Sequence, residues 1–182
     1  MNGYLFTSER LGFRNWKNED LVPMSELNAD EEVMEFFPQT YNLEATKEFI
    51  RIMQKNFDED GFCFYAVDKL ADNKFIGFIG LHKVNFDADF TPTQEIGWRL
   101  SRSAWNFGYA TEGAKRCLEY GFEQLNFNEI YSFTPLQNIR SENVMKKIGM
   151  KKEGEFDHPM LEKDSWLKSH LLYKIEKPII KL

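Results

Sequence analysis

The apolar positions along this chain change period several times, and each change marks an element. Arg10-Leu-Gly-Phe-Arg-Asn-Trp16 alternates loosely, which predicts a first strand. Leu21, Met24 and Leu27 then recur at helical spacing behind Asn18 or Glu19, either of which can cap a helix. A second short turn covers Glu31 to Phe37, and Pro38 ends it. Thr46, Ile50, Met53 and Phe57 share one side of a helix from Leu43 to Phe57, stopped at Asp58-Glu-Asp-Gly61, where Gly61 can turn left-handed. Phe62 to Asp68 and Phe75 to His82 read as partner strands turned by Ala71 to Lys74. A polar loop from Asn85 to Pro92 leads to a further strand over 94–100.

The stretch Ser101 to Phe122 organises the rest. A short loop carrying Trp105 runs into Gly108-Tyr-Ala-Thr-Glu112, and Ala110, Ala114, Cys117, Leu118, Gly121 and Phe122 then lie on one buried helix face. Strand, glycine-bearing turn and helix make a cradle for phosphate, because free N–H groups and the positive end of the helix dipole point the same way. Beyond it come a strand at Asn128 to Phe133 and a helix from Asn138 (N-cap) to Gly149 (terminator). Strands at Met150 to Phe156 and His170 to Glu176 follow, parted by a loop with Pro159. Hairpins followed by a β-α-β-α-β-β run predict an α/β (α+β) fold, a mixed sheet with helices on both faces. No repeat, low-complexity tract or linker interrupts it, so one domain is expected over 1–182.

Composition narrows the function. Apolar residues at 42% and 17 Phe predict a packed interior. The net charge of −6 argues against non-specific nucleic-acid binding, which rests on cationic contacts. Acidity suits a cationic amine substrate, although solubility alone accounts for it. The cluster Glu31, Glu32 and Glu35 reads as a solvated face, with a cation-binding rim as the lesser alternative. Cys63 and Cys117, in apolar contexts, are expected in the core of a protein from a reducing compartment. The opening MNGYLFTSERLGFRNW lacks the form of a signal peptide, and no apolar run approaches the roughly 20 residues of a membrane span. The expected location is the cytoplasm. With only three His and no Cys-x-x-Cys, no metal site is expected.

There is no G-x-x-x-x-G-K-[ST], and no G-x-G-x-x-G after an early strand. The motifs match something else. Glu95-Ile-Gly-Trp98, then Trp105-Asn-Phe-Gly-Tyr-Ala-Thr-Glu112, then Asn138-x-x-Ser141 and Lys147-Ile-Gly-Met150 resemble, in order, the GNAT superfamily of N-acetyltransferases. Within it the likeness is to the branch related to the ribosomal-protein N-terminal acetyltransferases, and it covers nearly the whole chain.

The resemblance implies a mostly antiparallel sheet of about six to seven strands, and acetyl-CoA as cosubstrate. It also implies a primary amine as acceptor (a protein N-terminus or a small molecule) and a monomer or homodimer. The family signature [QR]-x-x-G-x-[GA] fits at Gly108 and Ala110, but Trp105 stands at the Gln/Arg place and Phe107 where a basic or polar residue is common. The backbone N–H groups of 106–111 are therefore expected to hold the pyrophosphate. Cofactor contacts are implied at Trp98, Arg99 and Leu100, at Trp105, Asn106, Phe107, Gly108, Tyr109, Ala110 and Thr111, and at Asn138, Ser141 and Lys147. The strands at 98–100 and 129–133 are expected to part and admit the acyl arm.

The chemistry then asks for a base, because a lysine amine titrates at about 10.4 and a chain terminus at about 7.7–8.0. Glu95 is the leading candidate, unless it pairs with Arg99 or Lys83; Glu155, His158 or water are rivals. A backbone N–H near 96–98 suits the oxyanion. Ser141 is the expected proton donor to the thiolate, with Asn138 as cap or pantetheine contact. His82 and His170 read as strand-edge residues, and Glu112 as a structural carboxylate at a helix start. A non-catalytic acyl-CoA-binding module would keep the loop at 105–111 and need no base.

Overall fold

The structure, a computed structural model, describes residues 3–178 of the chain, so the ends of the expected 1–182 domain lie outside it. Eight strands form one sheet: β1 (Phe6–Thr7), β2 (Leu11–Arg14), β3 (Phe64–Lys69), β4 (Lys74–Val84), β5 (Thr93–Leu100), β6 (Glu129–Pro135), β7 (Lys151–Asp157) and β8 (Ser169–Glu176). Their order is β1-β2-β3-β4-β5-β6-β8-β7, antiparallel throughout except between β5 and β6. The count exceeds the expected six to seven because β1 is only two residues long. The strand expected over 10–16 is shorter, Leu11–Arg14.

Four helices cover the faces. α1 (Leu21–Ala29) and α2 (Leu43–Asp60) lie on one face, where Asn28 of α1 meets Arg99 and Phe49 of α2 packs on Trp16 and Phe78. α2 starts at Asn42, whose side chain accepts from the Ala45 N–H, and runs through Asp60 to Gly61 at φ 80°, three residues beyond the expected Phe57. The opposite face carries α3 (Tyr109–Glu123) and α4 (Ile139–Lys147). Gly113 and Gly121 let α3 approach Ile79 and Leu81 closely, and Cys117 is fully buried against the sheet. Arg14, buried, bridges Asp20 before α1 to Asp68 of β3, each at 2.7 Å, and so pins the first helix to the sheet. A buried pair of this kind fixes geometry more than it adds stability.

Candidate active site

β5 and β6 share a single paired position, Glu95 with Tyr131, and separate beyond it. Ser132 seals the parting by donating its hydroxyl to the Ile96 carbonyl at 2.9 Å, while the Trp105 indole N–H donates to the Leu100 carbonyl at 2.8 Å. Backbone groups alternate sides along a strand. Ile96, Trp98 and Leu100 therefore turn theirs to the opening, and Trp98, between the two sealed carbonyls, leaves an unpaired strand edge. Arg99 turns its backbone toward β4, and its side chain is buried on the face covered by α1 and α2. It donates to Asn28 at 2.7 Å and lies under the Phe37 ring at 4.0 Å. Burial lowers Arg99 to about 10, and its Nε has no partner.

At the end of this edge lies the turn singled out by the sequence. Asn106 (φ 65°) and Gly108 (φ 82°) are both left-handed, a backbone that gathers successive N–H groups into a concave nest ahead of α3. Among the described residues, no acceptor meets the N–H of any residue from 106 to 111. Such orphans at a helix start suit an anion. Phe107 is exposed and stacks on Tyr109, and Arg10 lies 4.6 Å over the other ring, that of Tyr109. Ala110 and Thr111 follow in the first turn of the helix. Glu112 accepts from Ser8 (2.7 Å), from the Arg10 backbone (2.8 Å) and from the Arg10 side chain. Burial pushes its carboxyl up, but these bonds outweigh it and hold Glu112 below the ordinary carboxylate range.

The start of α4 faces the same turn. Asn138 is its N-cap, accepting from the Ser141 N–H at 3.1 Å; the Ser141 hydroxyl makes no bond among the described residues. Arg140 lies 4.4 Å over the Trp105 ring, joining the two helix starts. Lys147, in contrast, is exposed at the far end of α4, about two turns from Ser141.

Glu95 marks the inner end of the cleft. Neither expected partner reaches it, since Lys83 pairs with Asp60 and Arg99 with Asn28. Its neighbour is His82, directly opposite on β4, with Nδ1 3.3 Å from Oε1. The rivals are elsewhere: Glu155 is an exposed ion-pair partner of Lys152. His158 is no plain loop residue but sits among Phe86, Phe133, Phe156 and His170. Burial, then His170 and Lys168, lower it to about 4.

The acidic segment is the exposed, solvated face expected of Glu31, Glu32 and Glu35, and part of its charge is taken up by surface ion pairs. Asp30 and Glu32 pair with Arg102, and Glu35 with Arg140 at 2.7 Å. His82, Ser132, Arg102 and Arg140 are the residues that sequence reasoning missed at this site. Only alternation could have flagged Ser132; the register that sets His82 against Glu95 has no local signal.

Residues 10–151 match the family model described as the acetyltransferase (GNAT) domain. The chain is a GNAT acetyltransferase. It is 33% identical over 161 residues to the uncharacterized N-acetyltransferase YnaD of Bacillus subtilis (strain 168), covering 88% of this chain and 90% of that protein. It is 27% identical to the spermidine N(1)-acetyltransferase of Escherichia coli (strain K12), over 80% of this chain and 75% of the other. The crystal structure of a GNAT-family acetyltransferase from Bacillus anthracis superposes with a TM-score of 0.79 at 30% identity, covering 94% and 97% of the two chains. This GNAT enzyme is thus an acetyl-CoA-dependent N-acetyltransferase. Its parted strands and orphan N–H groups have the chemistry that a pantetheine amide and a pyrophosphate require. No group of metal-ligating side chains occurs among the described residues, and none of its helices there is long and apolar enough to cross a membrane.

Proposed function

We propose that the protein moves the acetyl group of acetyl-CoA directly onto a primary amine, either a protein N-terminal α-amine or a small-molecule amine. The observation that carries this reading is the single-pair junction at Glu95–Tyr131. It puts a carboxylate at the inner end of an open strand edge whose outer end is the 106–111 nest. In this reading the Trp98 backbone aligns the acyl arm, and the nest holds the diphosphate. Glu95 attracts the ammonium, a backbone N–H of 96–98 steadies the oxyanion, and the Ser141 hydroxyl protonates the departing thiolate, with Asn138 positioning it.

Direct transfer suits the cysteines. Both are buried, and burial pushes each thiol well above its ordinary range, whereas a nucleophilic cysteine needs an accessible thiolate. The spent charges of the acidic segment bear on the acceptor. Asp30, Glu32, Glu35 and Asp60 are paired, and in the acidic stretches at 30–35 and 58–60 Glu31 and Asp58 alone keep exposed carboxylates without an ion pair among the described residues. With most of that charge committed, a singly charged acceptor is favoured over a polyamine. The test is thiol release from acetyl-CoA with an unblocked alanyl peptide, a small monoamine and spermidine, followed by mass spectrometry. Acetylated peptide or monoamine with free enzyme cysteines is the expected result. Spermidine as the best acceptor, or an acyl-cysteine intermediate, would sink the corresponding part.

A further inference from the structure

We propose that His82 is the group that takes the proton of the acceptor amine, with Glu95 orienting its ring; this rests on the acetyl-transfer reading above. The two side chains stand opposite one another across the β4–β5 hairpin, His82 Nδ1 lying 3.3 Å from Glu95 Oε1. Their side chains are 28% and 16% exposed, so both border the cleft without being free in solvent. Nδ1 is buried and has no aligned hydrogen bond, because the contact with Glu95 is close but off line. A buried orphan nitrogen calls for a reason. Catalytic bonds in ligand-free sites are often long or misaligned and tighten when substrate arrives.

The ring plane is already fixed. Phe64 stacks on it at 5.1 Å, and Phe64 itself lies over Gly97, where a side chain's Cβ would come within 3.0 Å of that ring. With Nδ1 turned to the carboxylate, Nε2 is the nitrogen left for substrate, and it is not among the buried unpaired atoms. The other titratable groups nearby are spoken for. On β4, Lys83 pairs with Asp60 at the end of α2; on β6, the Tyr131 hydroxyl donates to Glu129 at 3.4 Å; β3 offers only the Phe64 ring. Among the described residues, Glu95 is the charged group within ion-pair distance of His82.

The protons balance. The acceptor ammonium gives one proton to His82 Nε2, freeing its lone pair. The nitrogen then bonds the acetyl carbon as the carbon–sulfur bond breaks. A second proton leaves the nitrogen as the amide forms and balances the one delivered to the thiolate. His82 returns its proton to solvent.

The experiment compares wild type, His82→Gln, His82→Asn and Glu95→Gln between pH 5.5 and 9, using acetyl-CoA with an unblocked alanyl peptide and a small monoamine. CoA affinity and Tm are measured alongside. Both His82 variants are expected to lose about 100-fold in kcat/KM near neutrality and to lose its acid limb, with CoA binding and Tm unchanged. Glu95→Gln should retain the limb and lose less of kcat/KM than the His82 variants, as expected of a residue that orients the base rather than carries the proton. A His82 variant that keeps both rate and acid limb overturns the proposal. Wild type that binds CoA but acetylates no amine overturns the transfer reading, and this proposal with it.

Discussion

Gly108 is the residue on which the cofactor turn depends. Its φ of 82° is one an L side chain resists, although space itself is open, the nearest atom to an added Cβ being Arg10 Nη2 at 3.6 Å. Gly108→Ala should therefore cost only the left-handed strain, about 1–2 kcal/mol, with a modest loss of CoA affinity. Gly108→Pro, whose ring holds φ at about −65°, should abolish CoA binding in a protein that still folds. Calorimetric titration with CoA on both variants checks this, and tight binding by Gly108→Pro would show that the wrong loop has been chosen. Residues with local chemistry such as Asn138 and Glu112 are legible in sequence, because a cap bonds within its own turn. Glu95 is legible as a candidate, but its neighbour is not. Arg99 and Lys83, the partners that alternation and nearness suggest, go to Asn28 and Asp60, and His82 arrives through a register set across the 85–92 loop.

At the scale of elements, the cleft exists because β6 leaves β5 after one pair and Ser132 covers the Ile96 carbonyl that the parting leaves without a strand partner. Ser132→Ala leaves that buried carbonyl without a donor, an expected loss of about 1–3 kcal/mol. Denaturant unfolding measures it, and a Ser132→Ala protein as stable as wild type would show that solvent serves the carbonyl equally well. The long helices are plain from spacing alone, since α2 and α3 each bury one continuous side. β1 is invisible to the same reasoning, because two residues carry no period and Phe6–Thr7 is a strand only by pairing with Gly12 and Phe13. The parting of β5 from β6 is likewise beyond any periodicity and enters through family likeness.

Across the whole molecule, charge and aromatic packing tie distant segments together. His158 and His170 sit in one aromatic cluster, their ring centres 5.1 Å apart, and burial holds both below the ordinary histidine range, His158 at about 4. In the unfolded chain each titrates at about 6.5. Below that value the unfolded state binds more protons than the folded one. Stability is therefore full above pH 6.5 and falls as pH drops toward 4. Tm recorded across this window should decline in wild type and less steeply in His158→Phe; equal slopes would remove His158 as a cause.

The ion pairs of the 30–35 segment have a consequence for how the two substrates meet. Arg102, in the turn before α3, is held by Asp30 and Glu32, and Arg140 joins Glu35 to the Trp105 ring. A ligand that immobilises the 102–108 backbone should therefore steady the 30–37 loop along with it. The ordering cost of that loop is then already met when the second ligand docks. Linkage is reciprocal, so each substrate is expected to tighten the other by the same factor, which titrating each alone and in the presence of the other measures. Added salt, by screening these exposed pairs, loosens that bond between the two halves of the cleft.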